Sequence, residues 1–214
     1  QTFDKLAKDL GSSYLTGPQT AFTRIALAVR TVQKEPEKAE GAYAEALRIL
    51  VALRSTIKKS RVFLQNKLDA GSFSPEDSAL FEALGGVWKL EDLRAIGSFQ
   101  ENAKLVQLSF DVSFDEAKKE YIERGWWMDL EYGKLYQTLN LRPAKALKYV
   151  KGEDSRFGLL EVPVLYIYPG EGDRRVRWDN AAARPLTAEE QAALPQMAQP
   201  DLAAAVKLTK NQIK

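Results

Sequence analysis

A chain of 214 residues, 45% apolar and 28% charged, can bury the core of one domain or two small ones and is too apolar for disorder. It contains no cysteine and no histidine, which excludes disulfides, a thiolate nucleophile, a zinc site with sulfur or nitrogen ligands, and a Ser-His-Asp triad. Its 31 basic and 29 acidic residues leave a net charge of +2; that is too small for the global field to imply a polyanionic partner.

No run approaches the roughly 18 consecutive apolar residues of a membrane-spanning helix. The chain opens on Gln1, as it would after signal-peptide removal or at a trimmed start. A soluble protein, cytoplasmic or exported, is expected.

In chain order, residues 18–34 begin with Pro18 and place Phe22, Ile25, Val29 and Val32 at helical spacing, which predicts a helix. Lys34-Glu35-Pro36-Glu37 breaks it. A longer helix is predicted from about 37 to 68, where Tyr43, Leu50, Ile57 and Leu64 recur every seven residues, flanked by Ala46, Leu47, Leu53 and Leu68. The short connection makes the two helices antiparallel neighbours. The heptad seam is expected to be buried against residues 22–32, with residues 4–10 or 75–84 covering the excess length. Ser74-Pro75-Glu76-Asp77 reads as a helix start and Gly85-Gly86 as its stop. A short helix is expected near 90–95.

The period then changes from helical to two-residue. Val106, Leu108, Phe110 and Val112 alternate with polar residues, as in a half-buried strand. Ser113 and Glu116 have capping-box spacing, which predicts a helix to about 124, closed by Gly125. Segments 126–131 and 134–139 flank Tyr132-Gly133, a hairpin signal. Pro143 is expected to open a short helix to Val150. Residues 162–168 and 174–178 read as strands around Pro169-Gly170-Glu171-Gly172, and Pro163 requires an edge or bulge. Thr187 and Glu190 form another capping box, residues 201–213 an amphipathic tail helix, and 180–200 a flexible connection.

The expected fold class is therefore α+β: a helical hairpin region over 1–103, a small mixed sheet region over 104–180, and a linker with a C-terminal helix over 181–214. The order strand, helix, strand, strand, helix, strand from 105 to 168 matches the split βαβ arrangement of a ferredoxin-like sheet.

Three groups of residues carry candidate chemistry. Cations cluster without intervening acids in Arg54, Lys58 and Arg61, in Arg142, Lys145, Lys148 and Lys151, and in Arg174, Arg175 and Arg177; such clusters suit phosphate contacts, with Tyr149, Tyr166, Tyr168 or Trp178 as stacking platforms. Equally, they are what solvated helix faces carry. Trp126 and Trp127 are adjacent in a strand, so one ring should enter the core while the other, near Tyr132 and Tyr136, could anchor a partner. Carboxylates are the only candidate catalytic acids, bases or metal ligands: Asp129 and Glu131 alternate on one expected strand face, and Asp111, Asp115 and Glu116 cluster at an expected strand-to-helix junction, as magnesium binding or acid–base work requires. Helix N-termini and solvated strand faces use acids just as readily.

The Pro169–Gly172 segment leads into a strand, not into a helix N-terminus, so it reads as a hairpin turn and no nucleotide loop is present. No cofactor, catalytic residue or metal ligand is expected. The leading expectation is a non-catalytic binding or structural protein acting through protein–protein contacts. Nucleic-acid association through the basic clusters stands second, and a carboxylate-only enzyme third.

Overall fold

The computed structural model describes residues 2–71, 78–146, 148, 154–170 and 172–212. The chain divides into two compact units, residues 1–88 and 89–214, and the class is α+β as expected.

The first unit is helical. Helices α1 (Thr2–Ser12), α2 (Thr16–Lys34), α3 (Ala39–Ala70) and α4 (Ala79–Leu84) follow in order, with a 3₁₀ turn at Pro36–Lys38 between α2 and α3. Alanine, leucine and long charged residues sustain α3 for 32 residues. Gly71, at φ 59°, then ends it in the left-handed conformation, its N–H bonded to the Leu68 carbonyl. Phe3 stacks on Phe22 at 6.2 Å, and Arg30 of α2 pairs with Asp4 of α1. That hydrogen bond holds the Asp4 carboxyl below its usual range. At the entry to α2, a Cβ on Gly17 would lie 2.0 Å from the Ala83 carbonyl oxygen, so only glycine lets α4 end there. Helix α4 starts on Ser78, whose Oγ accepts from the Leu80 N–H; the expected start at Ser74–Asp77 lies outside the described residues.

The hairpin of α2 and α3 is present, but it is packed through a different side of α3. The residues turned inward are Ile49, Leu53 and Ser60, against Pro18, Ile25, Ala26 and Ala28 of α2. Tyr43, Leu50, Ile57 and Leu64 are exposed, which corrects the expectation of a buried seam. Helix α3 carries two apolar stripes about a quarter of a turn apart, and α2 with its small side chains fits the Ile49–Leu53 side. Val29 and Val32 of α2, expected in the contact, are likewise partly exposed.

The second unit opens with α5 (Leu90–Ala95), which buries Leu93 completely. Strands β1 (Phe99–Asp115), β2 (Glu120–Asp129), β3 (Leu135–Pro143), β4 (Leu159–Ile167), β5 (Arg174–Arg177) and β6 (Ala182–Arg184) form one mixed sheet. Long β1 pairs with β2 through residues 105–115 and with β4 through residues 99–106. Strand β5 runs parallel to β3 and antiparallel to β4. The ladder thus closes, β1-β2-β3-β5-β4 and back to β1, while β6 lies along the outer part of β4. Closure pairs the strands on both sides where the ring is complete, while β6 and the far halves of β1 and β3 are paired on one side only. Ala103, Leu105, Trp127, Tyr136, Leu160, Val162, Leu165 and Val176 fill the interior.

A closed ring of this order is not the ferredoxin-like arrangement, because the element expected as a helix between the first two strands is a hairpin. Ser113 pairs with Ile122 inside the ladder and cannot cap a helix. Asp115 organises the reversal instead, its Oδ1 accepting from the Ala117 and Lys118 N–H groups, and Lys119 at φ 54° completes it. The β-branched and aromatic residues on both sides favour strands over a capped helix. The second expected helix is also absent as such: Pro143 ends β3, and a 3₁₀ turn follows at Ala144–Ala146. Residues 147, 149 and 150 of that expectation lie outside the described residues.

Pro163 behaves as its missing N–H requires. The β1–β4 ladder is interrupted opposite it, between the pairs Glu101–Val164 and Ala103–Val162, where Asn102 turns to φ 53°. The stretch 180–200 holds β6 and helix α6 (Ala188–Met197) in place of a flexible connection, and α7 (Leu202–Gln212) follows. Thr187 and Glu190 make the reciprocal capping box that opens α6.

Candidate functional site

The most distinctive surface is the outward side of α3. Tyr43, Leu47, Leu50, Arg54, Ile57, Arg61, Leu64 and Leu68 follow one another at alternating steps of four and three. At roughly 100° per residue these eight fall within a stripe about 100° wide and about 37 Å long. The six apolar members are between 42% and 67% exposed. Large side chains repeated in this way are the seam that one helix of a coiled coil presents to another. Here that seam lies beside the α2 contact and is left uncovered.

The helix places Arg54 and Arg61 within the apolar stripe. Lys58 stands at its edge. All three are exposed and make no ion pair among the described residues, whereas Arg48, nearly two turns earlier, is held bidentately by Glu45 at 2.7 and 2.8 Å. The signal for this face was in the sequence, since the heptad was visible. Its orientation was not.

The remaining basic residues belong to the second unit and do not form one patch there. Arg142 lies at the end of β3, paired with the buried Glu123 carboxylate at 2.7 Å and set over the Tyr121 ring at 5.5 Å. Arg174 and Arg175 pair with residues 136 and 137 at the opposite end of β3, roughly 20 Å away at strand rise. Arg175 is stacked over Tyr168 at 3.8 Å. Lys145 follows in the 3₁₀ turn, and Lys148 and Arg177 are exposed. Lys151 and Tyr149 lie outside the described residues. Tyr166 and Tyr168 are buried, which corrects their proposed role as stacking platforms.

Of the aromatic pair, Trp127 is the core member at 1% exposure and Trp126 the half-buried one on the opposite face of β2. Tyr136, named with them as a partner anchor, is buried in the barrel, where loss of solvent raises its phenol pKa. It has no surface to offer a partner. Tyr132 remains exposed at the hairpin tip, beneath Lys134 at 5.4 Å, and the Glu131 charge beside it raises its pKa.

The carboxylates have structural tasks. Asp129 is fully buried, accepting from Gln100 Nε2 and the Glu131 N–H at 2.9 Å each; it ties the β2–β3 turn to β1. Asp115 caps the β1–β2 turn. Asp129 and Glu131 do not share a strand face, because β2 ends at Asp129. Among the described residues, no three acids are grouped to hold a metal ion.

An open cleft beside Pro163 is lined by Asn102, Lys104, Glu161 and Asn180. Its one carboxylate, Glu161, is engaged by Arg184 at 2.8 Å. The same guanidinium binds Glu190 of α6 at 2.6 and 2.7 Å, and this pulls the Glu190 carboxyl down to about 2. The cleft's carboxylate is therefore already engaged, which leaves Lys104 as its other charged lining residue.

No helix of the described residues is long and apolar enough to cross a membrane. No family model matches the chain, and no curated protein or solved structure matches it.

Proposed function

We propose that this is a non-catalytic binding protein that works through protein–protein contacts, with the outer face of α3 as its contact surface. One observation carries the reading: six large apolar side chains at coiled-coil spacing stay in water along a single helix. Large exposed apolar patches of this regularity mark interaction surfaces. Covering a half-exposed leucine or isoleucine contributes on the order of 1 kcal/mol, so a partner spanning the stripe gains several.

Photo-crosslinking tests this in the source cell, with the reactive group placed at position 47. A discrete protein adduct is expected, lost when Leu50 and Ile57 are both replaced by serine. No adduct, or adducts unaffected by those changes, would overturn it.

Nucleic-acid association remains the second reading, favoured by Arg54, Lys58 and Arg61, which make no ion pair among the described residues. It ranks lower because phosphate contacts leave the interleaved apolar side chains in water. The basic groups of the second unit are also split between the two ends of β3.

A further inference from the structure

Resting on the reading just given, we infer that the outer face of α3 takes an acidic amphipathic helix from another protein. The argument is one of charge. In heptad terms Tyr43, Leu50, Ile57 and Leu64 hold the d positions and Leu47, Arg54, Arg61 and Leu68 the a positions. The flanking e positions are Ala44, Val51, Lys58 and Gln65; the g positions are Ala46, Leu53, Ser60 and Lys67. No acid occurs at any of these sixteen places. Two arginines therefore stand in the middle of the seam with a lysine beside them, and among the described residues no carboxylate pairs with Arg54, Lys58 or Arg61.

A second copy is a poor occupant. Aligned in parallel, it would set Arg54 against Arg54 and Arg61 against Arg61. Reversed, it would gather the same cations, with both Lys58 side chains, in the central turns. Neither arrangement supplies an ion pair at e or g, and like charges in apposition disfavour the pairing. The complementary occupant has leucine-like residues at its own a and d positions and glutamate or aspartate opposite Arg54, Lys58 and Arg61. Burying guanidinium stems under such a helix adds apolar contact as well as charge pairing.

The absence of cysteine makes the test clean. Val51, exposed at the edge of the stripe, is changed to cysteine and labelled with an environment-sensitive fluorophore on the full chain. Three synthetic helices of about four heptads are titrated: an acidic one with leucine at a and d, a scramble of the same composition, and a basic one with the same leucines. Saturable one-to-one binding of the acidic helix is expected, with the scramble and the basic helix at least tenfold weaker. The double change Arg54→Glu, Arg61→Glu should weaken the acidic helix at least tenfold and strengthen the basic one, which loss of folding would not do.

Equal binding of the acidic and basic helices overturns the charge assignment. Concentration-dependent self-association that blocks the label overturns it in favour of a second copy, and tighter binding of random-sequence RNA overturns it in favour of nucleic acid. If the acidic helix fails while the in-cell adduct from position 47 persists, this inference alone falls. If both fail, the docking reading falls with it.

Discussion

Trp127 donates through Nε1 to Thr138 Oγ1 at 3.0 Å across the β2–β3 ladder, inside the barrel and out of reach of water. The contact depends on a third residue, since Gly125 leaves the space through which the indole reaches: a Cβ there would sit 2.7 Å from Thr138 Oγ1 and 2.8 Å from Trp127 Nε1. Trp178 then closes on the Trp127 ring edge-on, at 5.2 Å and 87°. The run Gly125-Trp126-Trp127 is thus a packing device whose glycine and second tryptophan act together.

Replacing Thr138 with valine keeps the volume and leaves the indole N–H without an acceptor. A loss of about 1–3 kcal/mol is expected, the cost of an unsatisfied buried donor. Gly125→Ala should cost a comparable amount through overpacking. Denaturant titration followed by tryptophan fluorescence checks both, and an unchanged midpoint in either variant would contradict the geometry.

On α3 the two apolar stripes should respond differently to truncation. Ile49→Ala or Leu53→Ala removes a buried side chain and should cost about 2–5 kcal/mol. Leu50→Ala, at a residue 42% exposed, should cost about 1 kcal/mol or less. Thermal unfolding of the three variants decides between the stripes. A Leu50→Ala loss as large as that of Leu53→Ala would mean that the heptad face is covered within the chain.

The Glu123–Arg142 pair sits at the solvent end of the barrel, with the carboxylate 3% exposed. Arg142→Ala should destabilise by roughly 3–5 kcal/mol, because it strips the counter-charge from a buried carboxylate. Exchanging both partners for Leu and Met should be far milder. A double-mutant cycle measures the difference; additive losses would show the two groups to be uncoupled.

Acid should release α6 from Arg184 late. The Glu190 carboxyl titrates at about 2 in the folded chain against an ordinary 4.5. A folded-state value that is depressed contributes stability above the ordinary value and loses it as pH falls. The clamp is therefore expected intact above pH 4.5 and lost progressively between about 4.5 and about 2. The protection of the Gln191 amide against exchange, taken relative to the intrinsic rate at each pH, should fall through that window, since its N–H bonds to the Thr187 carbonyl. Glu190→Gln should remove the pH dependence there.

Where the local signals agreed with one another, the sequence was a sound guide. Helix α3, the Thr187–Glu190 capping box, the Tyr132-Gly133 hairpin and the interruption at Pro163 each rest on chemistry contained within a few residues. Ser113 and Glu116 show the limit. Their spacing fits a helix cap, but Ser113 is drawn into a ladder by Ile122, and Asp115 takes over the turn.

The sequence alone determined that no cysteine or histidine chemistry is available, that helices precede strands, and that α3 carries a heptad of large apolar side chains. Those follow from composition and periodicity, which are properties of the chain itself. Only the tertiary structure decided which stripe of α3 meets α2, that β1 is long enough to pair on both sides and close the barrel, and that Tyr136 lies inside while Tyr132 lies outside. These depend on contacts between distant residues, such as Leu105 with Leu160. Periodicity states that a face is apolar; what covers it depends on the shape of the neighbour, and α2, short and small in its side chains, covers the Ile49–Leu53 side.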